Sequence, residues 1–237
     1  PKSVEHPFDI TFLMSDASLK DGEGWSTKPA ISFSCGEFFE KAFDFNQTLT
    51  ALPAGTYQFK GQAFQRPGNT EDVYKAFTAG QDNVNVVIYA GDEEAKIQNI
   101  AAEAQTKKLG GSETAVGSNP TRYVPNNMQA ASFYFAAELY DNGVVTQLDE
   151  DDSKMKVGMR CEEVQAAYWT IFDNFRLYYY GTMSPDQVTS IRQTVADKAQ
   201  LDGPFATPAD VYSLIGIRVR QQATSLDGLP QGIYIVN

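Results

Sequence analysis

The sequence predicts an all-β protein, a β-sandwich or jelly roll, and three observations carry that expectation. Apolar and polar residues alternate with a period of two over about the first 180 residues, the signature of half-buried strands. The segments so patterned are short and are separated by Gly, Pro and Asn turns. Helical periodicities are few and do not alternate with the strands, as a parallel α/β fold would require.

The first clear strand runs over residues 41–49, where Phe43, Phe45 and Leu49 share one parity while Asp44, Asn46 and Thr48 take the other. A Pro-x-Gly turn follows in Leu52-Pro-Ala-Gly-Thr-Tyr57. Beyond it Tyr57, Phe59, Gly61 and Ala63 face one side and Gln58, Lys60 and Gln62 the other. Together these predict an antiparallel hairpin with glycine at the positive-φ position of the turn. Further strands are expected over 7–14, 30–35, 84–90, 144–148, 155–161 and 169–180, and short helices over 71–79 and 125–139.

The pattern changes after Gly181. Ser184, Pro185 and Gln187 have the form of a helix start, and Val188, Ile191 and Val195 repeat at helical spacing, so a short amphipathic helix is expected to about Gln200. Pro204 and Pro208 then mark a linker, and 211–220 and 229–237 read as two strands. The chain is thus divided into a sandwich over 1–181, a helical linker over 182–208 and a small C-terminal β segment over 209–237. The motif Leu-Pro-x-Gly-x-Tyr at 52–57 recurs at 229–234, one turn-into-strand solution used twice rather than a structural repeat.

Composition narrows the function classes. The 237 residues include 19 Lys and Arg against 30 Asp and Glu, a net charge of −11, which disfavours nucleic acid and anionic membrane surfaces as partners. No apolar run reaches the length of a membrane-spanning helix. The chain starts at Pro1 without an initiator Met, which reads as a processed or trimmed product. His6 is the single histidine, so a serine or cysteine triad would have to use it, and a two- or three-histidine zinc site is excluded. Cys35 and Cys161 match no zinc spacing. Both have inward parity, Cys35 with Ile31 and Phe33, and they read equally as a disulfide or as two separate buried thiols. Carboxylate-pair hydrolysis survives these tests, since 30 acids are present.

Two sets of motifs carry a family resemblance. The run Val211-Tyr-x-Leu-x-Gly-x-Arg-Val219, followed by Leu-Asp-Gly-Leu-Pro-x-Gly-Ile-Tyr-Ile-Val236, resembles the C-terminal sorting tail of proteins that Bacteroidetes secrete through the type IX route. Phe43-x-Phe45-x-Gln-Thr-Leu49, Leu52-Pro-Ala-Gly-Thr-Tyr57, Tyr123-Val-Pro-Asn-Asn-Met128 and Trp169-Thr-Ile-Phe-Asp-Asn-Phe-Arg-Leu177 resemble the jelly-roll, galactose-binding-like modules that accompany extracellular polysaccharide-degrading enzymes of the same bacteria. The resemblance implies a galactose-binding-like sandwich, a non-catalytic glycan-binding role, and a location outside the cell or on the outer-membrane surface.

Several residues stand out as candidates for that role. Trp25, Tyr123, Tyr168 and Trp169 lie near predicted turns and would stack on the apolar face of a sugar ring. Arg66, Asn126 and Asn127 fall in predicted loops and would hydrogen-bond hydroxyls, although Asn also serves simply as a turn former. Asp173 shares the apolar parity of Trp169, Ile171, Phe175, Leu177 and Tyr179, and a carboxylate there needs a strong partner. A structural calcium is one such partner, with Asp9 on the first strand assisting; backbone amides or an arginine are the other. The acidic loop 16–24 lacks EF-hand spacing, and Asp149 to Asp152 reads as a solvated turn. Polysaccharide is therefore the expected partner. Another cell-surface protein is the alternative, and a carboxylate-pair glycoside hydrolase a third reading.

Overall fold

The computed structural model describes residues 7–189 together with the strands at 209–213, 218–223 and 234–236. His6 and most of the helix expected beyond Ser184 lie outside the described residues; residues 185–189 are helical. The chain divides into two compact units, 1–185 and 186–237.

In the first unit the strands are β1 (Phe8–Asp9), β2 (Ala30–Ser32), β3 (Cys35–Phe39), β4 (Phe43–Leu52), β5 (Gly55–Pro67), β6 (Val87–Ala90), β7 (Glu93–Lys96), β8 (Gln98–Asn99), β9 (Glu113–Val116), β10 (Arg122–Pro125), β11 (Asp141–Leu148), β12 (Ser153–Cys161) and β13 (Tyr168–Tyr179). Helix α1 (Thr70–Thr78) follows β5, and α2 (Met128–Ala136) follows β10. The larger sheet is ordered β11-β5-β13-β3-β2, with β1 added beside β13 and the short parallel β8 beside β5. The second is ordered β4-β12-β6-β7, and β9 and β10 form a separate ribbon. Apart from β5 with β8, the pairings of this unit are antiparallel.

The two main sheets share one core. Phe45, Leu49, Ile88, Met155, Val157 and Met159 come from the smaller sheet; Tyr57, Phe59, Ala63, Phe172, Phe175 and Leu177 come from the larger. Two sheets closing on each other's apolar faces make a sandwich, in keeping with the period-two patterning. A second core lies on the other face of the larger sheet, where Phe64, Trp169 and Ile171 meet Ala131, Tyr134 and Phe135 of α2. The central strand β5 is therefore buried on both faces, which explains why its buried residues do not simply alternate.

The expected hairpin at 41–63 does not form. β4 pairs with β12 and β5 pairs with β11 and β13, so the turn at 53–54 carries the chain from one sheet to the other. Both flanking strands present aromatic residues to the same core from opposite sides, and pairing them side by side would take one of those faces out of it. The corner is held by Tyr57 Oη donating to Pro53 O at 2.6 Å and Tyr179 Oη donating to Ala54 O at 2.7 Å.

The parity of β13 also changes within the strand. A bulge lies between Asp173 and Arg176, with Asn174 at φ +52°. Phe172 and Phe175 consequently enter the inter-sheet core together, while Trp169 and Ile171 face the second core. Asp173 belongs with Trp169 and Ile171, not with Phe175 and Leu177.

In the second unit, β14 (Ala209–Ser213) pairs antiparallel with both β15 (Arg218–Ala223) and β16 (Tyr234–Val236). Three strands thus stand where two were expected, because the residues 211–220 are divided between β14 and β15, which pair with each other.

Candidate functional site

The site begins as a row across three strands of the larger sheet. Arg66 on β5 is in register with Trp169 on β13, and Trp169 with Phe39 on β3. Directly opposed residues of antiparallel strands project on one face, so the three side chains form a continuous band. The next inward row on that face is Phe64, Ile171 and Glu37. Glu37 is thus diagonal to Trp169, and its Oε2 accepts the indole N–H at 2.6 Å.

The guanidinium of Arg66 lies 5.0 Å from the centroid of the Trp169 ring, within cation–π range. Its Nε is buried and has no hydrogen-bond partner. Burial pulls this guanidinium below the usual arginine range, and the charge of Glu37 pulls it back up.

The walls come from two neighbouring elements. β2 and β3 are joined by the two-residue turn Phe33-Ser34, in which both residues have positive φ, +53° and +59°. That is the primed turn that matches the twist of a hairpin, and it is normally built from Asn and Gly. A phenylalanine there sits in a conformation that costs a residue with a Cβ roughly 1 kcal/mol or more. The turn throws Phe33 outward, to 55% exposure, whereas simple alternation places it inward with Ile31 and Cys35. The opposite wall is the start of α2: Asn126, Asn127, Met128 and Gln129. Asn127 caps that helix, its side chain accepting Ala130 N–H at 2.8 Å.

These pieces enclose an open cleft of about 420 Å³, lined by Ser32, Phe33, Glu37, Phe39, Arg66, Asn126, Asn127, Met128, Gln129 and Trp169. Phe39, 46% exposed, stands at its rim with Phe33. Four residues singled out from the sequence, Arg66, Asn126, Asn127 and Trp169, therefore border a single cavity. Phe33, Glu37 and Phe39 were not singled out. For Glu37 the sequence offered no signal, since the expected strand over 30–35 ends before it, whereas β3 runs on to Phe39.

The other three aromatic candidates lie elsewhere. Trp25 is in the inter-sheet core, 8% exposed, stacked on Phe45 at 4.2 Å between centroids, with its indole N–H donated to Asp16 O. A loop rich in glycine precedes it, but the ring turns inward. Tyr168 neighbours Trp169 on β13 and so faces the opposite side of the sheet. Tyr123 is on β10, half-buried, with Lys108 5.6 Å above its ring.

Asp173 is buried, 6% exposed, and accepts the Asn174 N–H at 2.6 Å. Burial pushes its carboxyl up to about 7; Asn174 and Arg176 pull down and Asp16 pushes up. Asp9 is exposed, accepts the Thr11 N–H, and sits opposite Tyr178, five positions along β13 from Asp173. At about 3.3 Å per residue the two are on the order of 15 Å apart, so they do not converge on one calcium ion. The Asp16 carboxylate is already taken up by the backbone N–H groups of Lys20, Asp21 and Gly22. Among the described residues no group of three or more His, Cys, Asp or Glu side chains is placed to hold a metal, and none of their helices is long and apolar enough to cross a membrane.

The sequence matches no family model and no curated protein.

Proposed function

We propose that this protein is a non-catalytic glycan-binding module of jelly-roll, galactose-binding-like type, acting outside the cell or on the outer surface, with polysaccharide as its partner. The observation that carries this reading is the pair of exposed phenyl rings, Phe33 and Phe39, at the rim of a cleft floored by polar side chains. Sugar rings have apolar faces that pack on flat aromatic side chains and hydroxyl edges that need hydrogen bonds. Asn126, Asn127, Gln129 and Arg66 supply the polar half. Phe33 is held outward by a turn it fits poorly, and strain of this kind collects at binding sites. Trp169, by contrast, is covered by Arg66 and acts as a platform for that side chain.

A binding role fits the carboxylate content of the cleft. Glu37 is the acid in its lining, and one of its oxygens is taken by Trp169; glycoside hydrolysis by a carboxylate pair needs a second acid about 5 to 9.5 Å away. The expected affinity is micromolar to millimolar, about −8 to −4 kcal/mol. Affinity electrophoresis against plant, algal and host polysaccharides tests the reading. Retention on at least one polymer, weakened about tenfold or more in Phe33→Ala and Phe39→Ala, is expected. Absence of retention on every polymer, together with self-association or capture of a surface protein through the same two rings, would replace glycan binding by a protein-interaction role.

A further inference from the structure

The Arg66 guanidinium feels the charge of Glu37 but is not paired with it. Among the described residues it makes no ion pair, in a chain that carries 30 carboxylates against 19 basic side chains. Glu37, the nearest acid in the cleft, spends Oε2 on the Trp169 indole and lies outside ion-pair distance of the guanidinium. A partly desolvated charge left unpaired is costly, and a guanidinium holds its donors in a planar fork matched to two oxygens of one anion. The Trp169 ring lies against the guanidinium on one side. The start of α2, whose backbone N–H groups carry partial positive charge, forms the wall beside it. Asn127, which lines the cleft, commits its side-chain oxygen to Ala130 and not its NH2 group.

We infer that the cleft takes an acidic glycan, in which an oxyanion substituent of the sugar, a uronate carboxylate or a sulfate ester, pairs with Arg66 while the ring packs against Phe33 and Phe39. This rests on the glycan-binding reading and names the substrate class of that site. The overall charge of −11 opposes approach of such a chain, so selectivity comes from Arg66 at contact and not from long-range attraction.

Calorimetric titration with polygalacturonate, alginate, a glucuronate-bearing xylan and a sulfated galactan, each beside its carboxyl-reduced or desulfated counterpart, tests the assignment. At least one acidic polymer is expected to bind tenfold or more tightly than its neutral counterpart. Binding confined to the sulfated pair identifies the oxyanion as sulfate, and binding to a uronate pair identifies carboxylate. Arg66→Gln is expected to erase the preference, with Arg66→Lys restoring part of it. Should Arg66→Gln unfold, methyl-esterified polygalacturonate against the free acid gives the same comparison with the unmodified protein. Equal binding of charged and neutral polymers, still sensitive to Phe33→Ala, overturns the acidic class and leaves glycan binding standing. Failure of every polymer to bind overturns both.

Discussion

The indole N–H of Trp169 donates to Glu37 Oε2 at 2.6 Å while the face of the same ring receives the Arg66 guanidinium. One aromatic residue thus holds a cation and an anion of the cleft in fixed places without letting them pair with each other. The strand registers produce this: Arg66 is level with Trp169 on one side, and Glu37 is one row inward on the other.

Trp169→Phe keeps an aromatic ring in the row while deleting the N–H donor and part of the ring that packs in the second core. Hydrogen bonds to charged acceptors contribute about 1.5–3 kcal/mol, and an exposed cation–π contact about 0.5–1 kcal/mol. The expected loss is about 2 kcal/mol, read as a lower urea midpoint at unchanged slope. Glu37→Gln keeps an acceptor and is expected to lose about half as much. A Trp169→Phe midpoint equal to the parent would mean that the bond adds nothing.

Asp173 sets a pH dependence of opposite sign to that of an ordinary surface carboxylate. Burial raises its folded-state pKa from 3.8 to about 7, so between those values the folded protein binds a proton that the unfolded chain releases. Its contribution is fully present below the lower value and is lost as pH rises through the higher one, on the order of 4 kcal/mol in all. The charged and titratable neighbours are the Cys35 thiol, Arg176 and Asp16. In Asp173→Asn this dependence disappears. The variant is expected to gain on the parent steadily in denaturant melts from about pH 4 to about pH 8. A constant difference across that range would place the Asp173 carboxyl in water.

How far such features were legible in the sequence differs residue by residue. Period-two alternation identified β4, β5, β11, β12 and β13 because each has at least one face against a core. It misassigned the partners of Asp173, since a single bulge at Asn174 exchanges the faces of everything beyond it. It also read the strands on either side of the Leu52 to Tyr57 turn as a hairpin, because the pattern of a strand does not reveal which sheet it joins. Arg66, Asn126, Asn127 and Trp169 were visible as polar or aromatic residues beside turns. Phe33 was not, because its exposure follows from a primed turn formed by Phe-Ser, residues that carry no signal for positive φ.

Gly158 on β12 lies opposite Asn46 on β4. A Cβ there would lie 2.3 Å from Phe45 O and 2.8 Å from Asn46 Cα, backbone atoms of a paired strand that cannot rotate away. Gly158→Ala is expected to cost about 2–3 kcal/mol by overpacking, seen as a lower melting temperature. Gly80→Ala is the control: nothing lies within 4 Å, so only its φ of +81° opposes the change, at about 1 kcal/mol. If the two variants melt together, the β4–β12 spacing is more yielding than the register requires.

Cys35 and Cys161 are buried in different cores and are not bridged. Burial, and then the charge of Asp173, pushes the Cys35 thiol up to about 12, and burial also raises that of Cys161. The thiolate is the reactive form, so at about pH 8 a group of pKa about 12 is ionised in only about one molecule in ten thousand. A thiol reagent is therefore expected to label neither cysteine in the native protein and both in denaturant without reductant. Fast labelling of the native protein would require one of the two cores to open readily. An absence of labelling in denaturant would require a disulfide, and with it a different packing of β3 against β12.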